Sequence, residues 1–380
     1  MNKNKGITLI ALVITIIILL ILSGISISAL TNQGLFKNAK TAQNATEKAE
    51  KEQGQRLNEY EDEINKYLNN ANEDEKIGLI TDNINKELSK TDNTKLKDEK
   101  GNRIVVPAGF KIVNGATTVD KGIVIEDVTE TATKGSQFVW VPVGTITKTD
   151  GTTAIITLGR YDFDATTGKE SAYSDTYVEE DSNDSSTLKK CGNTIAKNIT
   201  KFKNSVATNG GYYIGRYEAR TATARSAAGN ALTQITEKGT ENVYNYVTQL
   251  QAAQLSQNMY NNDNFTSDLM NSYAWDTATV FIQNCGTNAK YSRQISLNTS
   301  LLQTGTNSLT DTSKIDVQCN IYDMASNILE WTTETTDSSS FPCVYRGGFY
   351  GNSDHYTSCR DGNSTSDSNV IVGFRPLLYL

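Results

Sequence analysis

The sequence predicts an α+β fold carried behind an N-terminal transmembrane helix and stalk, and three observations predict it. The short runs Ile104-Val105-Val106, Gly122-Ile123-Val124-Ile125 and Phe138-Val139-Trp140-Val141 are β-branched or aromatic and bounded by turn residues, so they read as strands. Segments 240–257 and 266–283 read as helices, the second because Leu269, Tyr273, Ala274, Thr277 and Phe281 recur at helical spacing. Ahead of both, no charged residue occurs from Ile7 to Leu30.

That apolar stretch exceeds the roughly 20 residues a helix needs to span a bilayer. It is also longer than the core of a cleavable secretory signal, about 7–15 residues. Lys3 and Lys5 precede it, which by the positive-inside tendency predicts a single-pass membrane protein with everything after Leu30 extracellular. Residues 31–68 continue as an amphipathic stalk, with Leu57, Tyr60, Ile64 and Leu68 on one face. From 69 to 103 apolar residues become sparse, which predicts a linker with one short helix near Ile84 to Leu88. The globular part is expected over 104–380.

Composition excludes some functions. With 36 Lys and Arg against 43 Asp and Glu, the net charge is −7, so no nucleic-acid partner is expected, because phosphates demand a basic face. The five cysteines, Cys191, Cys285, Cys319, Cys343 and Cys359, include no Cys-x-x-Cys pair. Neither a metal–thiolate site nor any particular disulfide follows from their spacing. A single histidine, His355, leaves no nucleophile–base arrangement to be read.

Two resemblances extend this reading. Lys5-Gly6-Ile7-Thr8-Leu9-Ile10 resembles the leader junction of type IV prepilins. The resemblance implies a bacterial cell membrane, a leader over 1–6, processing between Gly6 and Ile7, pilus association, and other pilin-like subunits as partners. The family usually carries Glu five residues into the mature helix, where this chain has Ala11. That departure weighs against filament assembly, since the family's buried carboxylate offsets a neighbour's amine.

The second resemblance rests on five stretches in family order. They are Phe138-Val139-Trp140-Val141-Pro142-Val143-Gly144, Tyr212-Tyr213-Ile214-Gly215-Arg216-Tyr217-Glu218-Ala219, Leu269 to Asp276, Asn320 to Thr332, and the closing pair Arg346-Gly347-Gly348 and Gly373-Phe374-Arg375-Pro376. Together they are similar to the sulfatase-modifying-factor family, the formylglycine-generating branch of the C-type-lectin fold. The resemblance implies a C-type-lectin-like domain with a structural calcium held by Asn327 and Glu330, oxygen donors of the kind that ion prefers. Arg375 is a candidate bidentate partner for a buried carboxylate such as Glu330. Trp331 reads as core, and Gly347 and Gly348 as a tight backbone path.

Catalytic members of that family bind copper through two cysteines after the Arg-Gly-Gly motif, soft ligands suited to Cu(I). The matching positions here are Asn352 and Thr357, so no copper and no cysteine-oxidising catalysis are expected. Residues 349–369 are instead rich in Tyr, Asn, Ser, Asp and Gly. Tyr supplies rigid contact area, while Ser, Asn and Gly supply adaptable hydrogen bonds, as in antibody-type loops. From Phe349 to Val372 the sequence lacks Lys, Glu, Gln, Met and Trp, which resembles the variable regions of diversity-generating-retroelement proteins. The reading is a cell-surface adhesin-like or receptor-like protein that binds a protein or glycan through Tyr350, Asn352, Asp354, His355, Tyr356, Arg360 and Asn363. The alternatives are a structural minor pilin and a formylglycine-generating-type oxidase.

Overall fold

A computed structural model describes residues 77–380 except 82, 87, 114, 116, 180–197, 261 and 303–315, together with Val13, Ile14 and Thr46. The chain divides into two units, Met1–Lys76 and Ile77–Leu380, and every strand among the described residues belongs to the second.

The centre of that second unit is a six-stranded sheet in the order Thr266–Leu269, Pro376–Tyr379, Gly211–Gly215, Gln137–Pro142, Val124–Asp127 and Phe110–Ile112. All five pairings are antiparallel. Phe138, Val139, Trp140 and Val141 are all buried, so the predicted strand is apolar on both faces because both faces are covered. Two adjacent tyrosines show what covers them, since successive strand residues point to opposite sides. Tyr212 Oη donates to Ala274 O (2.6 Å) in a helix packed on one face, and Tyr213 Oη donates to Val105 O (2.9 Å) in a small sheet on the other.

That small sheet pairs Gly78–Leu79, Thr94–Lys97 and Arg103–Val106. The segment expected as a linker over 69–103 is therefore folded from Ile77 onward: Leu96 is buried, as is Ile84 in a 3-10 turn at Ile84–Lys86. Sparse apolar residues suffice here because two of them reach the core.

Among the described residues the unit has three α-helices, Ile199–Asn209, Gln249–Gln257 and Ser272–Cys285. Two are shorter than the sequence predicts because polar caps start them late. Thr248 forms a capping box with Gln251, and Asn271 accepts from Ala274 N (2.9 Å). Upstream of those caps, Asn242–Val243 and Thr266–Leu269 are strands.

The predicted class is corrected accordingly. Among the described residues twenty-one β-strands stand against three α-helices, and no helix is long and apolar enough to cross a membrane. This corrects the expected α+β assignment, and among the described residues neither a pilin-like transmembrane helix nor the expected single-pass membrane placement is seen. The leader over 1–6, the helix over 7–30 and the stalk over 31–68 lie outside the described residues apart from Val13, Ile14 and Thr46.

Candidate binding face

A second sheet, in the order Arg360–Asn363, Cys343–Arg346, Leu329–Thr335 and Val372–Phe374, carries the candidate site. Leu329–Thr335 runs parallel to Val372–Phe374 and antiparallel to Cys343–Arg346. The polar segment 349–369 leaves this sheet after Arg346 and returns through Arg360–Asn363, which pairs with Cys343–Arg346. Its departure needs two glycines. Gly347 has φ +82°, and a Cβ there would lie 2.6 Å from Met324 O; one on Gly348 would lie 2.4 Å from Ala325 O.

Beneath the segment lies a buried ionic cluster. Cross-strand pairing sets Arg346 opposite Arg360, and both guanidiniums meet the same two carboxylates. Arg346 Nη2 donates to Asp276 Oδ1 (2.6 Å) and its Nη1 to Glu334 Oε2 (3.4 Å). Arg360 donates from Nε to both oxygens of Glu334 (2.9 and 3.1 Å) and from Nη2 to Asp276. Arg160 also pairs with Glu334, and the Tyr173 ring lies 3.9 Å from the Arg160 Cζ and 4.5 Å from that of Arg360. Burial works against the Arg360 charge, but Asp276 and Glu334 outweigh it and hold its pKa above the ordinary value. For Arg346, burial and the like charge of Arg360 prevail and lower it.

Arg360 is thus turned into the scaffold, contrary to its expected place among the ligand-binding residues. Alternation along the strand explains this, because pairing with Arg346 sends both side chains to the buried side. The other candidates stay on the outer side. Asp354 is exposed, and Tyr350, Asn352, His355, Tyr356 and Asn363 are half-buried. Asn352 Oδ1 accepts from Asp354 N (2.7 Å) and His355 N (2.8 Å), an Asx turn that fixes the loop tip. Phe349 brings two candidates together, with ring centroids 6.4 Å from Tyr350 and 5.5 Å from His355. The Tyr356 ring lies 3.6 Å from the Arg293 Cζ, and Asn363 donates to Asp367 Oδ2 (2.8 Å).

Several residues of this face were not singled out in the sequence. Arg293 reaches it from a distant segment, as do Tyr173 and Tyr177, whose hydroxyl donates to Arg360 O (3.4 Å). Phe341, 54% exposed, lies beside Gly362. The Tyr-rich stretch around Tyr173 shares the composition of 349–369, a signal that composition could have revealed.

The expected calcium pair does not fit an ion as placed. Glu330 gives both carboxylate oxygens to Arg375, at 3.0 and 2.5 Å. Asn327 Oδ1 accepts from Leu302 N (2.8 Å), while its Nδ2 donates to Glu218 Oε2 (2.8 Å). Calcium requires six to eight oxygen donors, and among the described residues no cluster of three or more His, Cys, Asp or Glu is placed to hold a metal. Cys343 and Cys359 do not converge either. Cys343 faces Asn363 while Cys359 lies beyond the Arg346–Arg360 pair, an offset of more than about 10 Å along the strands. Gly6 and Ile7 lie outside the described residues.

No family model matches the chain, and no curated protein matches it. Among solved structures it is similar to Treponema denticola variable protein 1, at 13% identity and a TM-score of 0.33 over 66% of this chain and 98% of the other. It is similar to PvdO from Pseudomonas aeruginosa at 11% identity and a TM-score of 0.35, over 65% and 95%. CarF matches at 15% identity and a TM-score of 0.27, over 36% and 67%. At these scores none of the likenesses assigns a fold or a function.

Proposed function

We propose that this chain is a non-catalytic ligand-binding protein that meets a protein or glycan through residues 349–369. One observation carries the reading: a polar, aromatic outer segment is fixed at its base by a buried cluster of Arg346, Arg360, Asp276 and Glu334. Rigid footing under an adaptable surface lowers the ordering cost of association. Tyr350 and Tyr356 are the anchors, since aromatic side chains dominate interface energy. Asp354 and the exposed Thr365 and Ser366 provide the polar rim.

The residue types on this surface also suit diversification by a retroelement. Sequences of the same locus from several isolates should then differ mainly between Gly348 and Gly373. Changes spread evenly along the chain would remove that part of the proposal. Binding itself is tested by replacing Tyr350 and Tyr356 together with Ala, which should leave the melting temperature within a few degrees of wild type and abolish ligand capture. Retained capture would refute the assignment of the face.

A further inference from the structure

The hairpin Val317–Gln318 and Ile321–Tyr322 sets Gln318 opposite Ile321, so Cys319 and Asn320 are the two central residues of its turn. Both have positive φ, 47° and 62°. Tight hairpin turns need that left-handed pair, and Asn-Gly or Asp-Gly normally supplies it. Asn320 suits the rule, whereas Cys319 carries a side chain that is sterically disfavoured there. A residue kept against backbone preference is held by what its side chain does.

The turn is seated firmly. Asn320 Nδ2 donates to Gly122 O (2.8 Å) and Lys121 O (3.1 Å), and Cys319 Sγ donates to Asp120 O (3.8 Å). A Cβ on Gly122, at φ +79°, would stand 1.9 Å from Cys319 O. The end of the helix Ser272–Cys285 arrives at the same place. Thr287 donates to Gln318 Oε1 from N (2.8 Å) and Oγ1 (3.1 Å), and a Cβ on Gly286 would lie 2.6 Å from that oxygen. The residues flanking the two cysteines therefore touch. As placed both thiols are free; each feels the charges of Asp120 and Lys121, and Cys285 bears electrostatically on Cys319.

We propose that Cys285 and Cys319 are a disulfide pair that fastens this hairpin turn to the end of the helix. A small-molecule disulfide serves as oxidant. The thiolate of one cysteine, Cys319 or Cys285, attacks one of its sulfurs and expels a thiolate. The other cysteine then attacks the resulting mixed disulfide at the protein's own sulfur and expels the second. Two electrons pass to the oxidant, and the protons from the two cysteines end on its two thiols. Burial pushes the Cys285 thiol up to about 12 and raises that of Cys319 as well. Neither is held as thiolate, so formation is slow and the bond, once made, resists reduction. Cys343 and Cys359 offer no competing pair with each other, given their offset along the sheet.

The test is peptide mapping of the full chain after incubation with oxidised glutathione, alkylation and non-reducing digestion. A Cys285–Cys319 linked peptide that disappears on reduction is expected. Full alkylation of both cysteines, or linkage of either to another cysteine, would overturn the proposal. Cys319→Asn gives an independent reading, because Asn suits the turn. It should melt at or above wild type in reducing buffer and below wild type after oxidation. Melting at or above wild type under both conditions would also overturn it.

Discussion

Arg375 grips Glu330 through two parallel contacts, Nε to Oε2 at 3.0 Å and Nη2 to Oε1 at 2.5 Å, with both side chains shut off from solvent. The same guanidinium donates to Gly215 O (2.9 Å) and Tyr322 O (2.8 Å), so one side chain ties the central sheet to the second sheet. Around it lie the further buried acids Glu218 and Glu237. Removing one partner of a buried pair leaves an uncompensated charge, which typically costs about 3–5 kcal/mol. Arg375→Ala is therefore expected to lower unfolding stability by that amount in denaturant titrations. A loss below about 1 kcal/mol, the range of exposed pairs, would show that the pair does not brace the fold.

The same cluster makes stability pH-dependent. Burial raises Glu218 to about 7, with Arg220 opposing and Glu330 adding to the rise, and burial likewise raises Glu237 and Asp323. A carboxyl whose folded value lies above its unfolded one contributes stability below the unfolded value, and loses it as pH rises through the folded value. Stability should fall between pH 5 and 8, with a slope on the order of 1 kcal/mol per pH unit for each proton involved. Glu218→Gln should flatten that slope. An unchanged slope in this variant would exclude Glu218 as its source.

Arg360 and Tyr356 lie in the same polar segment but face opposite ways, and their variants should part company. Arg360→Ala strips Asp276 and Glu334 of a buried partner and should cost about 3–5 kcal/mol. Tyr356→Ala loses a contact with Arg293 worth about 0.5–1 kcal/mol at an exposed site. Melting curves that rank the two the other way would mean that the segment is braced from its outer face.

Gly348→Ala tests how tightly the segment is set on its sheet. The added methyl would meet Ala325 O at 2.4 Å and His355 O at 3.0 Å, backbone atoms that cannot swing aside. Overpacking of this kind costs about 1–3 kcal/mol. A variant as stable as wild type would indicate a looser exit from the strand.

Much of the frame was legible because it obeys local rules. Phe138 to Val141 is a strand since its apolar run is short and bounded, and Trp331 is core, its indole donating to Val247 O (2.8 Å). The bidentate pairing of Arg375 with Glu330 followed from the chemistry of a buried arginine beside a carboxylate. What stayed hidden depended on distant pairing. Thr266–Leu269 has no alternating apolar pattern of its own and is a strand because Pro376–Tyr379 lies beside it. The inward turn of Arg360 is set by its register with Arg346, which no local pattern encodes. Likewise Arg293 joins the candidate face because its segment pairs with 356–358, through the bridge between Ile295 and Tyr356 and the bonds of Thr357 N to Gln294 O (3.0 Å) and Ser358 N to Ser292 O (3.1 Å).

The central claim is that residues 349–369 bind a ligand through Tyr350 and Tyr356 on a frame that does not depend on them. The direct measurement is binding of the full chain, wild type and Tyr350→Ala/Tyr356→Ala, to a printed glycan array and a panel of purified surface proteins, with melting curves recorded in parallel. The wild type is predicted to bind at least one probe, and the double variant to lose at least tenfold in affinity, about 1.4 kcal/mol or more, at a nearly unchanged melting temperature. Equal binding by both proteins, or no binding by the wild type to any probe, would contradict the account.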